Sequence, residues 1–334
     1  MTHLRAPYFQ SVTWTYPTAS AVMAAMKTVA TLQDTRPLDA ISREMLEATR
    51  DWVLKETISI DDLTSISPAD FAQQLQDQRQ RQQALQFLIL MPYLDTQVDP
   101  AEVNLVNAYA AELQLTPHTL QSLRLVCDRK LRHLLVGYTH RSITNILPGR
   151  GLWQKAKVVF DIFRQYLGDK SVAQRYQALE LLPDNTLGKE LYRYYRDRNF
   201  PLPGEKQSFS EAIVGHDLLH LLSGIGTDME GEITVAGLEA GMSNSEFGFE
   251  LLLEVILDFH MGLKFTTMGV LETGLNQLKP QALMEAYARG LQMPFDLLDP
   301  AWNFKAVLEQ PIPTLRQLYR LQSQSPLSLA TVPS

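Results

Sequence analysis

Three proline-marked helix starts restrict what this chain can become. In Ser67-Pro68, Asp99-Pro100 and Thr116-Pro117 a capping residue stands directly before a proline. The oxygen of the capping side chain can accept an orphan backbone N–H. The proline has no N–H to leave unsatisfied, and its φ is already set for a first helical turn. Leucine, alanine, glutamine, glutamate and methionine, all good helix formers, continue each run. The spacing predicts helices from Ser67 to about Leu90, stopped by Pro92, from Asp99 to about Leu113, and from Thr116 to about Leu135. Another amphipathic stretch opens at Ser42 and runs to about Trp52. No run of β-branched residues alternates with polar ones between hairpin turns. The expected fold is all-α.

At 334 residues the chain is longer than one hydrophobic core usually serves, so two domains are expected. The periodicity breaks at "NILPGRG", residues 145–151, and restarts in "LWQKAKVVFDIFRQYL". This places an N-terminal helical domain at 1–147, a second helical domain at 148–322 and a Ser/Pro-rich flexible tail at 323–334. The formal charge of −7 argues against a nucleic-acid partner, despite a basic island at 124–150. A single cysteine, Cys127, excludes an internal disulfide framework and suits a reducing compartment. The early apolar stretch "SAVMAAMKTVA" is broken by Lys27, so no secretory signal is expected. The apolar segments at 87–94 and 247–265 are too short or too acidic to cross a bilayer. The expectation is a cytoplasmic protein, at most peripherally attached to membrane.

The chemistry concentrates in "GHDLLHLLSGIGTDMEGE", residues 215–232. On a helix His216 and His220 share one face, with Cβ atoms about 5–6 Å apart, which suits two imidazoles converging on one cation. Asp217 lies about 100° around the helix and reaches the ion only if the helix edge faces it. Ser223-Gly224-Ile225-Gly226 is expected to end the helix, and Glu232 to sit near the start of the next. Two imidazoles with one or two carboxylates suit zinc first, with iron or magnesium as alternatives. The bland reading is two histidines that only pack or cap carbonyls. A metalloprotease would carry glutamate where Asp217 stands, so that activity loses its support.

His216-Asp217-x-x-His220, eleven residues and then Glu232, resembles the HDxxH-x11-E signature of the coenzyme Q biosynthesis protein 4 family. "LPDNTLGKELYRYY" at 182–195 and "PIPTLRQLY" at 311–319 resemble segments of the same family, so the resemblance covers about residues 150–320. It implies an all-helical protein with an apolar tunnel for a polyprenyl chain. It also implies a divalent metal held by His216, Asp217, His220 and Glu232, and oxidative decarboxylation with hydroxylation at ring carbon 1 of a prenylated head group. It further implies homodimers, peripheral membrane association and partners among other quinone-biosynthesis proteins. The N-terminal 140-odd residues depart from the family. Within them "ALQFLILMPYLDTQVDPAEVNLVNAYAAELQL" resembles the tellurite-resistance TerB-like helical module. There Asp95, Asp99 and Glu102 are cation candidates, although acids at a helix start are favourable on dipole grounds alone.

Glu246, Glu250, Glu254 and Asp258 recur at every fourth position before His260, which reads as a solvated helix face. The alternative puts some of them at the mouth of the metal site. The opposite face, Phe247, Leu251, Leu252, Val255 and Phe259, is expected to contact the isoprenoid tail. The leading expectation is a metal-dependent prenyl-lipid-binding enzyme of quinone biosynthesis. A non-catalytic scaffold with a structural metal is the alternative. An HD-type phosphohydrolase using His140 and Asp258 is the lesser one.

Overall fold

The computed structural model describes residues 12–130, 133–135, 168–208, 211–263 and 273–321. Within them the protein is mostly helical and has no sheet. The two strand-like pairings are isolated bridges, Thr186 with Pro311 and Met261 with Leu275. In chain order the α-helices are α1 (Tyr16–Ala30), α2 (Ala40–Ala48), α3 (Pro68–Gln74), α4 (Gln78–Leu90), α5 (Pro100–Glu112), α6 (His118–Cys127) and α7 (Lys170–Gln177). They continue with α8 (Leu187–Asp197), α9 (Val214–Ser223), α10 (Met229–Met242), α11 (Glu246–Phe259), α12 (Pro280–Leu291) and α13 (Ile312–Leu318).

Local chemistry explains most of these starts. Ser67 accepts the Asp70 N–H, and Asp99 accepts the Ala101 N–H, each before a proline at the first helical turn. Each cap is worth about 1 kcal/mol. Three boundaries differ from the sequence expectation. The helix opened by Ser67 ends at Gln74, because Asp77 starts a new one by accepting the Arg79 and Gln80 N–H groups. Asp39, not Ser42, caps α2, whose side-chain oxygen takes the Ser42 N–H at 2.9 Å. α2 then continues as a wider π-turn over Thr49–Leu54, closed by Lys55 at φ 56°. α6 opens at His118 without a side-chain cap and stops at Cys127. The break at 145–151, the restart after it, His140 and the tail lie outside the described residues.

The described residues fall into two compact units, one drawn from those of 12–135 and 228–292, the other from those of 168–227 and 293–321. Residues 228–292 thus group with the N-terminal helices, whereas the sequence expectation kept 148–322 together. Long-range contacts account for this. Trp52 Nε1 donates to Gln281 Oε1 at 3.0 Å, Gln83 Nε2 donates to the Tyr287 hydroxyl at 3.1 Å, and the Phe87 and Tyr287 rings meet edge to face. The core of this unit joins α1, α2, α4 and α5 to α10, α11 and α12. α10 and α12 approach until backbone meets backbone. A Cβ on Gly241 would strike the Tyr287 carbonyl oxygen, and one on Gly290 the Leu238 carbonyl oxygen. Only glycine permits that closeness.

The other unit contains α7, α8, α9 and α13. The apolar stripe of α9, Val214, Leu218, Leu219 and Leu222, is fully buried. α8 turns Leu187, Leu191, Tyr194 and Tyr195 inward. No helix of the described residues is long and apolar enough to cross a membrane.

Candidate metal centre

α9 carries the histidine pair and is fixed at its C-terminal end by two devices. Gly224 adopts φ 76°, a left-handed conformation that suits glycine at a helix end, and its N–H returns to the His220 carbonyl at 2.9 Å. Arg316 of α13 donates from Nε to the Leu222 carbonyl at 2.8 Å and from a terminal nitrogen to the Leu221 carbonyl at 3.1 Å. A cation there also complements the negative end of the helix dipole.

The turn made by Gly224 sets the chemistry of His220. It brings the Ile225 carbonyl to 3.2 Å from His220 Nδ1. A carbonyl only accepts, so in the neutral ring Nδ1 carries the proton and Nε2 carries the lone pair. That Nε2 faces His216 Nε2 at 3.2 Å, with the two rings nearly perpendicular. Two nitrogens bound to one tetrahedral zinc at about 2.0–2.1 Å stand roughly 3.3–3.4 Å apart. The spacing of the pair therefore fits a shared cation. Glu232 lies in the first turn of α10, as expected, after the N-cap Asp228 accepts the Gly231 N–H at 2.7 Å. His216, His220 and Glu232 are a possible metal-binding triad, the one such group among the described residues. Two imidazoles and a carboxylate form a borderline donor set that suits zinc or iron better than magnesium.

Asp217, the fourth expected ligand, is not in that group. Its carboxylate accepts hydrogen bonds from two tyrosines of α8, a short one from the Tyr195 hydroxyl and one of 3.4 Å from Tyr194. Burial, and then the Asp217 charge, hold the Tyr195 hydroxyl far above the usual phenol range, so it stays a donor. The Tyr194 ring stacks on His220 with centroids 6.5 Å apart, and the Arg198 guanidinium lies 4.3 Å over the same Tyr194 ring. Nearby, Tyr176 donates to Glu211 at 3.1 Å, while Lys305 pairs with Glu211 at 3.0 Å. Sequence reasoning missed Tyr194, Tyr195 and Arg316. The run "YRYYRDR" carried the signal for the tyrosines, an aromatic-rich helix face beside arginines.

Several other expectations are corrected. The acids of α11 do not form a solvated face, since Glu250 and Asp258 are buried. Glu246 lines a cleft of about 270 Å³ with Gln82, Gln86, Gln114 and Leu85, and burial raises its carboxyl above the usual range. His260 is fully buried. The Leu278 N–H donates to its Nδ1 at 3.2 Å, and its Nε2 faces the Leu94 carbonyl at 2.8 Å. On the apolar face, Leu252 belongs to the hydrophobic core, and Val255 and Phe259 pack against that core while half-buried. Phe247 and Leu251 are also half-buried. A charge at Leu252 would therefore disrupt packing rather than block a lipid path. In the N-terminal segment, Arg36 pairs with Asp99 at 3.1 Å and, more closely, with Glu102. Its guanidinium supplies the positive charge expected there of a cation. Burial nevertheless raises the Glu102 carboxyl to about 7 against the pull of Arg36.

Comparison with known proteins adds no relative. No family description, no curated protein and no solved structure matches this chain.

Proposed function

We propose that this protein binds a divalent cation, zinc first and iron or magnesium as alternatives, through His216, His220 and Glu232, and acts on a polyprenylated aromatic acid in quinone biosynthesis. The observation that carries the cation centre is the 3.2 Å approach of His216 Nε2 to His220 Nε2, with His220 Nδ1 turned to the Ile225 carbonyl. The substrate class rests on the resemblance of the motif and its flanks to the coenzyme Q biosynthesis protein 4 family. In the proposed reaction the ring carboxyl leaves as carbon dioxide and a hydroxyl takes its place at ring carbon 1. This is a two-electron oxidation: water supplies the hydroxyl oxygen, and dioxygen, the oxidant by class, takes the two electrons and leaves as hydrogen peroxide. A divalent cation at the centre would supply Lewis acidity toward the carboxylated ring. The protein's own contribution is orientation: Ile225 sets the tautomer of His220, and Arg316 and Gly224 fix the end of α9.

Half-buried Phe247, Leu251, Val255 and Phe259 are the proposed contacts for the isoprenoid tail. Peripheral membrane association, a homodimer and partners among other quinone-biosynthesis proteins belong to the same proposal. Three protein ligands leave a coordination position for substrate, which favours an enzyme over a scaffold with a closed structural site. Native mass spectrometry with lipid extraction and elemental analysis of gently purified protein tests the reading. A bound divalent cation and a co-purifying isoprenoid are expected. Protein that carries neither, and takes up neither when both are supplied, contradicts it.

A further inference from the structure

We infer that Tyr195, with Tyr194 beside it, is a positioning residue of the cation centre, holding α9 by its aspartate so that both imidazoles present Nε2 to one point. The inference rests on the cation-centre reading above and extends it to residues outside the ligand set.

Three observations carry it. Tyr195 is buried, and its hydroxyl donates to one Asp217 oxygen while Tyr194 reaches the other at 3.4 Å. α8 therefore grips both oxygens of a residue that directly follows His216 and precedes His220 by less than one helical turn. The Tyr194 ring also stacks on the His220 ring, with the Arg198 guanidinium 4.3 Å over that same Tyr194 ring. Gly224 and Arg316, by contrast, act on the C-terminal end of α9. Rotation about the helix axis is controlled where the side chains project. An imidazole tip lies roughly 6 Å or more from that axis, so a rotation of about 10° moves it by about 1 Å. Metal ligands must fall within about 0.2 Å of their ideal distances, so such a rotation spoils the site. Carboxylates held by outer hydrogen bonds are a general means of fixing this geometry.

The test is Tyr195→Phe in the full chain, with zinc affinity measured by competition against a chromophoric chelator. The expected result is affinity weakened about ten- to a hundredfold, with zinc stoichiometry at saturation and helical circular dichroism unchanged. Tyr319→Phe is the comparison. Tyr319 is a buried tyrosine of the same unit whose hydroxyl accepts from Trp302 Nε1 at 3.3 Å. It should keep the parent affinity. Unchanged affinity in Tyr195→Phe, or an equal loss in both variants, overturns the positioning role and leaves the cation centre standing. A parent that binds no zinc overturns the centre and this role together. Should Tyr195→Phe fail to fold, Tyr194→Phe carries the test: a several-fold loss supports the role and parent affinity overturns it.

Discussion

His260 and His220 are both buried histidines in leucine-rich helical surroundings, yet their neutral rings hold the proton on opposite nitrogens. At His260 the Leu278 N–H donates to Nδ1, so the proton sits on Nε2 and goes to the Leu94 carbonyl. Both nitrogens are consumed by backbone, and burial lowers the pKa of the ring. At His220 the Ile225 carbonyl holds the proton on Nδ1 and turns the Nε2 lone pair toward His216. The first arrangement joins α11 to distant backbone. The second presents a pair of nitrogens at ligand spacing. What separates the structural histidine from the candidate ligand is the identity of its partners and the tautomer they impose, since burial is common to both.

The largest expected effect lies on the structural side of the comparison. His260→Ala leaves the Leu94 carbonyl and the Leu278 N–H buried without their partner and opens a cavity. It should cost about 2–5 kcal/mol in urea denaturation, with zinc bound per folded chain unchanged. A near-neutral result would mean that His260 does not hold its surroundings together. Next is Glu232→Gln, which keeps size and shape but removes the charge. It should weaken zinc binding by about 1.5–3 kcal/mol, roughly ten- to a hundredfold, with little change in stability. Unaltered affinity would reduce the centre to its two histidines.

The smallest effect is in pH. The folded-state pKa of His260 lies below its ordinary 6.5. Its stabilising contribution is therefore full above that pH and falls as acid protonates the unfolded chain in preference to the folded one. The urea midpoint should be lower at pH 5.5 than at 7.5, and the His260 imidazole signals in NMR should titrate below 6.5. A His260 ring that titrates at or above 6.5 would contradict its place in this comparison.

The sequence made part of this legible. Ser67-Pro68 and Asp99-Pro100 announce their helices because a cap and a proline act on adjacent backbone, as does Gly224 at the end of α9. The break at Asp77 is hidden beneath a continuous apolar period, where a local cap outcompetes the longer pattern. The i+4 row of acids on α11 looks solvated, because period alone does not tell which face a distant helix will cover. Asp217 is the clearest case. Its spacing suggests a ligand, while Tyr194 and Tyr195, over twenty residues upstream, take both of its oxygens. Contacts between distant segments also move residues 228–292 into the unit built on the N-terminal helices.

The most direct measurement is elemental analysis of the dialysed parent beside His220→Asn. His220→Asn deletes the imidazole whose Nε2 faces His216, without opening a large cavity. A stoichiometric divalent cation is expected in the parent. In the variant the expected result is an affinity loss beyond about a hundredfold, the upper end for changes outside the ligand shell, and a urea midpoint close to the parent's. Equal metal content in the two proteins, or none in either, would contradict the centre. A variant that loses stability with no metal to lose would make the pair one more packed core histidine site like His260.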